Sequence, residues 1–187
     1  MLQVQFDPFP ILHTTKLILR KPEITDAQDF FELRSNEQVM QYVNRPIAKT
    51  IEDAQNLLTL ILDKLKANEG INWTIALHIA PHKVIGNIGI WQLQKEDYRG
   101  EIGYMLHPNY WRMGIMQDAI TAVLHYGFNQ MKLHSIEAKT SPLNIASALL
   151  LKKTGFLLEA HFQENCYWNG SFGDTTVYSL LAHNYKG

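Results

Sequence analysis

The spacing of the apolar residues changes near residue 70. From residue 50 to residue 68 apolar residues recur every three or four positions, which predicts a helix with one buried face. The residues on this face are Ala54, Leu57, Leu58, Ile61, Leu62 and Leu65. From Trp73 to Ile79 they occupy every second position, as in a half-buried strand. A chain that contains both patterns is expected to pack helices against a sheet.

The rest of the chain repeats these two patterns. Residues 84–91 and 101–106 are predicted to continue an antiparallel meander, and helical spacing resumes after Gly114. A short strand over 135–140 and a helix over 144–154 follow. The last two predicted strands meet at Asn169-Gly170, a dipeptide that suits a tight hairpin turn. The sequence contains no internal repeat or Gly/Ser linker, so we predict one domain, residues 1–187, with an irregular lead over residues 1–13.

Composition narrows the class of protein. Hydrophobic residues make up 46% of the 187 residues and charged residues 19%, as in soluble globular proteins. The formal net charge is −1 and no Lys/Arg run is present, so neither a nucleic-acid nor a membrane partner is indicated. No segment resembles a signal peptide or a membrane span. The single cysteine, Cys166, excludes an internal disulfide. We therefore expect a cytoplasmic protein.

The most informative stretch is a predicted strand, a loop and a helix. The strand is Glu101–Leu106, and the loop is Trp111-Arg112-Met113-Gly114-Ile115-Met116. A helix start carries unpaired amides and partial positive charge, so it can hold a phosphate. Gly114 permits close approach of the backbone, and Arg112 can add a charge-assisted contact. By itself, a glycine in a loop before a helix is more often a simple turn.

Several motifs resemble one enzyme family. Residues 110–119 are similar to the acetyl-CoA loop of the GNAT N-acetyltransferases. The segments Glu101–Tyr104, Asn144–Ser147, Lys153–Phe156 and Tyr167–Gly170, followed by Asp174, resemble the RimJ/RimL branch, which acetylates protein N-terminal amines. The resemblance runs from about residue 14 to residue 181, with the motifs in the expected order.

The resemblance implies a fold and an activity. The fold is of the α/β (α+β) class, with a central mixed, mostly antiparallel twisted sheet of about seven strands covered by helices on both faces. The activity is transfer of an acetyl group from acetyl-CoA to a primary amine by direct attack in a ternary complex, without a metal. The acceptor is a protein N-terminus or a small amine, and the protein is a monomer or a homodimer. The alternative is a catalytically inactive CoA-binding sensor or interaction module.

The resemblance also assigns roles to residues. A bulge in the cofactor strand would free the amides of Met105 and Leu106 for the thioester. In the next motif, Asn144 and Ser147 would face the cofactor, and the Ser147 hydroxyl would protonate or hydrogen-bond the departing sulfur. For an unassigned helix serine, a bond to a preceding carbonyl is the simpler interpretation. Leu151 stands where the family usually has a catalytic tyrosine, and Arg112 and Met116 replace small loop residues of the family pattern.

The sequence does not identify which group acts as the general base. Cys166 aligns with a glutamate that RimL-like enzymes can carry, and a structural cysteine is the simpler interpretation. Glu101 is the leading substitute, unless it pairs with Arg99 or Arg20. Glu164 would share a strand face with Cys166 if the strand is regular, and water is the remaining candidate. We expect Asp174 to bond the hairpin turn. His107 could move a proton, although a turn residue before Pro108 is the simpler interpretation. Tyr104 is expected mostly in the core, although an aromatic side chain could line the acceptor cleft.

Overall fold

A computed structural model describes all 187 residues as one mixed sheet with helices on both faces. The strands are β1 (Leu12–His13), β2 (Leu17–Arg20), β3 (Ile71–Leu77), β4 (Gly86–Gln94), β5 (Arg99–Leu106), β6 (Ser135–Thr140), β7 (Leu157–Trp168) and β8 (Ser171–Leu181). The helices are α1 (Ala27–Ser35), α2 (Glu37–Met40), α3 (Ile51–Lys66), α4 (Ile115–Asn129) and α5 (Ile145–Lys153). No helix has both the length and the apolar character that a membrane crossing requires.

The sheet has eight strands in the order β1-β2-β3-β4-β5-β6-β8-β7. All neighbouring strands run antiparallel except β5 and β6, which are parallel. The predicted number was about seven. The additional strand lies in the lead that was predicted to be irregular, where Leu12 and His13 pair with Leu19 and Ile18. This lead also contributes Leu2 and Phe6 to the core, because both are almost fully buried.

The apolar periodicity determines which side of each element is buried. A cluster of 28 buried residues lies on the side of the sheet that α4 and α5 cover, and includes Ile88 and Ile90 of β4 and Ile120 of α4. A smaller cluster on the opposite side joins α1, α3 and Val84. Alternation along β4 and β5 therefore gives the two sides of the sheet different residues. Asn87, Trp91 and the aligned β5 residues of the second side face away from the larger core.

Local signals set where several of these elements begin and end. Thr50 caps α3 and shares a capping box with Asp53, so the amphipathic segment begins where expected. The β7–β8 turn places Asn169 and Gly170 at φ values of 49° and 82°, the left-handed pair that a tight hairpin requires. Gly155 ends α5 with a φ of 96°.

Candidate active site

The parallel strands β5 and β6 separate soon after they meet. Only Arg99, Gly100 and Glu101 of β5 pair with β6, opposite Ser135, Ile136 and Glu137. Beyond Glu101, β5 continues to Leu106 along β4 with no partner on its other edge. The result is a wedge-shaped opening in the middle of the sheet. We call it the β5–β6 opening.

The backbone of β5 presents alternate residues to this opening. The amide of His107 donates to the Ile85 carbonyl at 2.8 Å, so odd-numbered residues at this end of β5 face β4. The Leu106 carbonyl points the other way and accepts the Trp111 indole N–H at 2.8 Å. The Leu106 amide therefore faces the opening, and by the same alternation so does that of Tyr104.

This geometry corrects one expectation. The β4–β5 register runs without interruption from Gly86 opposite Leu106 to Trp91 opposite Glu101, and its shift lies beyond, between Trp91 and Gln94. No bulge occurs at Met105. Its amide faces β4, because an odd-numbered residue of an unbroken strand keeps the direction of its neighbours. Of the two amides assigned to the thioester, only that of Leu106 faces the opening.

A cleft of about 480 Å³ leads into the opening. It brings together four of the residues predicted to act in catalysis or cofactor binding, Glu101, Met105, Asn144 and Ser147. Its charged lining residues are Arg45, Glu101, Lys139 and Asp174, so the formal charges cancel. Residues 42–45, between α2 and α3, form one wall. The cleft therefore does not favour an acceptor with many positive charges.

The loop after β5 leaves the start of α4 without a side-chain cap. Gly114 is its N-cap, with a φ of 76°, and the first helical bond runs from the Asp118 amide to the Gly114 carbonyl. The amides of Ile115, Met116 and Gln117 consequently have no protein acceptor. The side chains of Ile115 and Met116 lie in the core, so only their backbone faces outward. Trp111 and Met113 are exposed.

Arg112 adopts a glycine-like backbone. Its φ is 61°, a left-handed value that costs a residue with a Cβ roughly 1–2 kcal/mol. Its guanidinium makes no hydrogen bond or ion pair within the chain, in contrast to Arg20 and Arg99, which pair with Asp26 and Glu137. The loop thus holds a free cation beside the unpaired amides of α4. This combination fits a diphosphate.

Ser147 lies on α5 and faces Tyr104 of β5. Their hydroxyl oxygens are 2.8 Å apart, and Ser147 makes no bond to the carbonyl of the preceding helical turn. Asn144 caps α5 by accepting the Ser147 amide at 3.1 Å, which sets the start of this helix. Burial raises the pKa of Tyr104 to about 12, against the smaller opposing effect of the Ser147 hydrogen bond. Tyr104 therefore stays neutral at physiological pH.

Glu101 lines the cleft and is paired with Lys139. The Lys139 Nζ lies 2.8 Å from Glu101 and 3.1 Å from Glu137, and the Glu101 hydrogen bond is the largest contribution that raises the pKa of Lys139. The partner expected from the sequence, Arg99 or Arg20, is engaged by another carboxylate. Lys139 lies on β6 two residues beyond Glu137, the last β6 residue paired with β5.

The remaining base candidates lie on β7. The β7–β8 register shifts between Phe162 and Cys166, and Glu164 there has a φ of 48°. The strand is therefore not regular, so the condition on which Glu164 was expected to share a face with Cys166 is not met. The Cys166 thiol donates to the Gly173 carbonyl at 3.1 Å. Neither residue lines the cleft.

Asp174 stabilises the bulge in β7 between Phe162 and Cys166, where the register with β8 shifts. It accepts the Glu164 amide at 2.9 Å and lies 2.6 Å from His161 Nε2, and these two donors lower its pKa in that order. We expected it to bond the hairpin turn, but it bonds the bulge several residues away. Its contribution to the site is to hold the shape of β7 next to the cleft.

Comparison with known proteins identifies the family. The sequence profile described as "Acetyltransferase (GNAT) domain" matches residues 16–157. The chain belongs to the GNAT acetyltransferase family. The protein named "Uncharacterized N-acetyltransferase YoaA", from Bacillus subtilis, is 36% identical over 92% of this chain and 97% of its own. The acyl donor of a GNAT acetyltransferase is acetyl-CoA, and the β5–β6 opening and the α4 start fit its extended arm and its diphosphate.

Solved structures agree with the GNAT assignment. A GNAT-family acetyltransferase from Bacillus anthracis superposes with a TM-score of 0.82 at 27% identity, over 93% of this chain and 99% of its own. The ribosomal L7/L12 α-N-protein acetyltransferase RimL, solved with coenzyme A, has a TM-score of 0.81 over 92% of this chain and 98% of its own. Its identity is 18%, so this second likeness shows the fold alone.

Two cleft residues of this GNAT acetyltransferase were not identified as site residues from the sequence. Tyr104 was assigned to the core, because its contact with Ser147 joins residues 43 positions apart. Asn87 was not singled out at all. It carried a recognisable signal, since it is the one polar side chain in the otherwise apolar run from Val84 to Trp91.

Proposed function

We propose that the protein acetylates a primary amine, with the amine and acetyl-CoA bound together in the cleft. The observation that carries this proposal is the β5–β6 opening. Unpaired backbone amides lie along its β5 edge and at the start of α4, and the Tyr104–Ser147 pair joins β5 to α5 beside it. When bound, acetyl-CoA supplies a thioester carbon that the amine attacks, which yields an N-acetyl group and releases CoA as its thiol.

The diphosphate is assigned to the start of α4. The amides of Ile115, Met116 and Gln117 have no other acceptor, and the Arg112 guanidinium is free. A helix start favours negative charge through its dipole as well as through these donors. Trp111, Met113 and Gly114 shape the loop around this position, and the Trp111–Leu106 hydrogen bond connects it to β5.

The thioester carbonyl is assigned to the Leu106 amide. This amide faces the opening, and a donor fixed by the sheet needs no rearrangement as negative charge develops on the oxygen. Met105 contributes its side chain to the cleft wall, while its amide is turned toward β4. We infer a single backbone donor here.

Ser147 is assigned to the departing sulfur as a hydrogen-bond donor. The pKa of Tyr104 is about 12 and that of an ordinary thiol is about 8.5, so complete transfer from Tyr104 to a thiolate is uphill by roughly 5 kcal/mol. The Tyr104–Ser147 pair therefore stabilises the developing thiolate by sharing a proton. The proton that makes CoA a thiol comes from the amine or from water.

The amine loses its protons through water in this proposal. Leu106 lies five residues along β5 from Glu101, about 16 Å at the rise of a strand. Glu101 cannot reach an amine that attacks a carbonyl held at Leu106, except through a chain of waters. An α-amine with a pKa near 8 is partly neutral at physiological pH, which keeps the cost of this route low.

The acceptor class is proposed from the cleft. Its charges cancel and it opens between residues 42–45 and β8, which suits a peptide N-terminus or a small amine with little net charge. RimL, which shares the fold, is by its name an acetyltransferase of the ribosomal L7/L12 α-amine. We favour a peptide N-terminus as the acceptor and a cytoplasmic location for the reaction.

Calorimetry and a thiol-release assay test the proposal together. We expect acetyl-CoA to bind and CoA release to depend on an added amine. The acceptor panel consists of peptides that begin with Ser or Ala, their Nα-blocked forms as matched controls, spermidine and free amino acids. Binding without amine-dependent release on the whole panel would indicate a CoA-binding module. Absence of binding would exclude both functions.

A further inference from the structure

Asn87 is a buried polar residue on an apolar strand. Its neighbours Ile88 and Ile90 are fully buried, and Asn87 itself is only 7% exposed. It lies on the side of the sheet opposite the larger core, directly across from Met105 of β5. Its side chain reaches the cleft.

The amide group of Asn87 is only half satisfied. Its Nδ2 donates to Asn72 Oδ1 at 3.2 Å, whereas its Oδ1 is inaccessible to solvent and has no hydrogen-bond partner. A buried carbonyl oxygen without a donor opposes folding, and such groups in native proteins call for a specific explanation. Asn87 lines the cleft, so a ligand N–H or O–H group that displaces the side chains covering Oδ1 can supply the donor.

The position of Asn87 relates it to the reacting atoms. Its partner across the ladder, Met105, is adjacent to Leu106, whose amide faces the β5–β6 opening. Asn87 therefore lies one residue from the proposed carbonyl site. Glu101, one of the two carboxylates that line the cleft, lies about 13 Å further along β5 from Met105.

A neutral acceptor suits an attacking amine. A carboxylate next to the nitrogen would favour the ammonium form, which has no lone pair with which to attack. An amide oxygen orients an N–H bond without supplying a negative charge. A primary amine also retains N–H bonds while it attacks, whereas an alcohol that gives up its proton to become the nucleophile has no hydrogen left to donate.

We propose that Asn87 Oδ1 accepts a hydrogen bond from the reacting nitrogen of the acceptor, and that this contact selects nitrogen over oxygen nucleophiles. This inference rests on the proposed acetyl transfer and adds a specificity-determining residue to it. Asn72 has a positioning role, because its bond to Nδ2 fixes which end of the Asn87 amide faces the cleft.

A matched pair of bisubstrate analogues tests this contact without knowledge of the natural acceptor. In both, the CoA sulfur carries a CH2–C(=O) group, linked to n-propylamine as an amide in one and to n-propanol as an ester in the other. We expect the protein to bind the amide about tenfold more tightly than the ester. Asn87→Leu removes the acceptor oxygen, and we expect it to bind the two analogues equally.

Two controls accompany this measurement. Asn72→Asp keeps an acceptor for Nδ2, so it should retain the preference for the amide. Asn87→Leu removes the unsatisfied Oδ1 together with the Nδ2 bond to Asn72, whose partly exposed side chain can bond to water instead, so it should unfold at about the same temperature as the unmodified protein. A purely structural role for Asn87 predicts a lower temperature instead.

The outcomes separate the inference from the function on which it rests. Equal affinity of the unmodified protein for amide and ester would overturn the role of Asn87 while leaving CoA binding intact, and this comparison needs no folded variant. Retention of the preference in Asn87→Leu would overturn it as well. Failure of both analogues to bind would exclude the proposed function, and the inference with it.

Discussion

Arg112 combines an unfavourable backbone conformation with an unpaired charge. Its φ of 61° would suit glycine better, and its guanidinium has no partner in the chain. The arginine therefore gains nothing from the folded protein that offsets its backbone cost. A ligand that meets the guanidinium gives a physical reason for this residue at this position.

The charge of Arg112 can be separated from its conformation. We expect Arg112→Ala to raise the Kd for acetyl-CoA about tenfold, because a charge-assisted hydrogen bond to the diphosphate is lost. Calorimetry at low and high salt checks this, since the loss should shrink as salt screens the charge. Arg112→Gly relaxes the backbone without restoring the charge, so it should bind as weakly as Arg112→Ala. Recovery of affinity in Arg112→Gly would mean that the backbone conformation at residue 112, and not the charge, determines the affinity for acetyl-CoA.

Ser147 is expected to act on the reaction more than on binding. Ser147→Ala removes the hydroxyl proposed to donate to the departing sulfur, so we expect kcat to fall about tenfold to a hundredfold, with the Kd for acetyl-CoA changed less than threefold. Steady-state kinetics with calorimetry measure both quantities. Unchanged turnover would remove Ser147 from the mechanism.

Tyr104 provides the matched comparison for Ser147. Tyr104→Phe keeps the ring and the Ser147 hydroxyl but removes the bond between them. Its effect on kcat should be smaller than that of Ser147→Ala, and the double variant should be no worse than Ser147→Ala alone, because both changes act on one hydrogen bond. Additive losses would show that Tyr104 contributes independently.

Among the elements, α5 connects a cap to the site. The Asn144 side chain accepts the Ser147 amide and so fixes the first turn of the helix that carries the Ser147 hydroxyl. Thr50 does the same for α3, and neither Thr50 nor Asp53 lines the cleft. Loss of either cap is therefore expected to cost similar stability, whereas only loss of the Asn144 cap is expected to affect activity.

This pair predicts a split between stability and turnover. We expect Asn144→Ala and Thr50→Ala each to lower the free energy of unfolding by about 1 kcal/mol, as lost N-caps do. Only Asn144→Ala should also lower kcat, because it loosens the turn that holds Ser147. Denaturant unfolding and the thiol-release assay measure the two effects. Equal turnover in both variants would show that the cap does not position Ser147.

Elements with local signals could be predicted from the sequence, and contacts between elements could not. The start of α3 at Thr50 and the turn at Asn169-Gly170 each depend on a few neighbouring residues. The predicted helix start and the predicted turn both occur. The Glu101–Lys139 pair joins positions 38 residues apart. The direction of the Met105 amide depends on an unbroken register with β4, which no local pattern reveals. The base candidates on β7 failed for a related reason, since the bulge at Glu164 breaks the alternation.

For the whole molecule, the β5–β6 pair is the junction between two antiparallel groups of strands. Strands β1 to β5 form one group, and β6, β8 and β7 form the other. Three paired residues on each strand connect them. Helices α4 and α5, the shared core and the Arg99–Glu137 and Glu101–Lys139 ion pairs add further contacts between the groups.

Acetyl-CoA should therefore stabilise the protein measurably. A ligand that binds only the folded state, at 100 times its Kd, contributes about 2.7 kcal/mol. For a domain of this size that corresponds to a rise in Tm of about 5–10 °C, measurable by differential scanning calorimetry. Arg112→Ala, compared at the same ligand concentration, should show a smaller rise. Equal Tm values with and without acetyl-CoA would contradict binding at the opening.

Under the proposed function, the separation of β5 from β6 would make the donor a temporary member of the sheet. An amide-bearing arm laid along the free edge of β5 would provide the hydrogen bonds that a ninth strand would otherwise make. Release of CoA would then leave the free edge of β5 without these hydrogen bonds. Substitutions that widen the β5–β6 opening should weaken donor binding even where they touch no ligand atom. The donor can bond to both sides of the opening only when the two groups of strands are close enough.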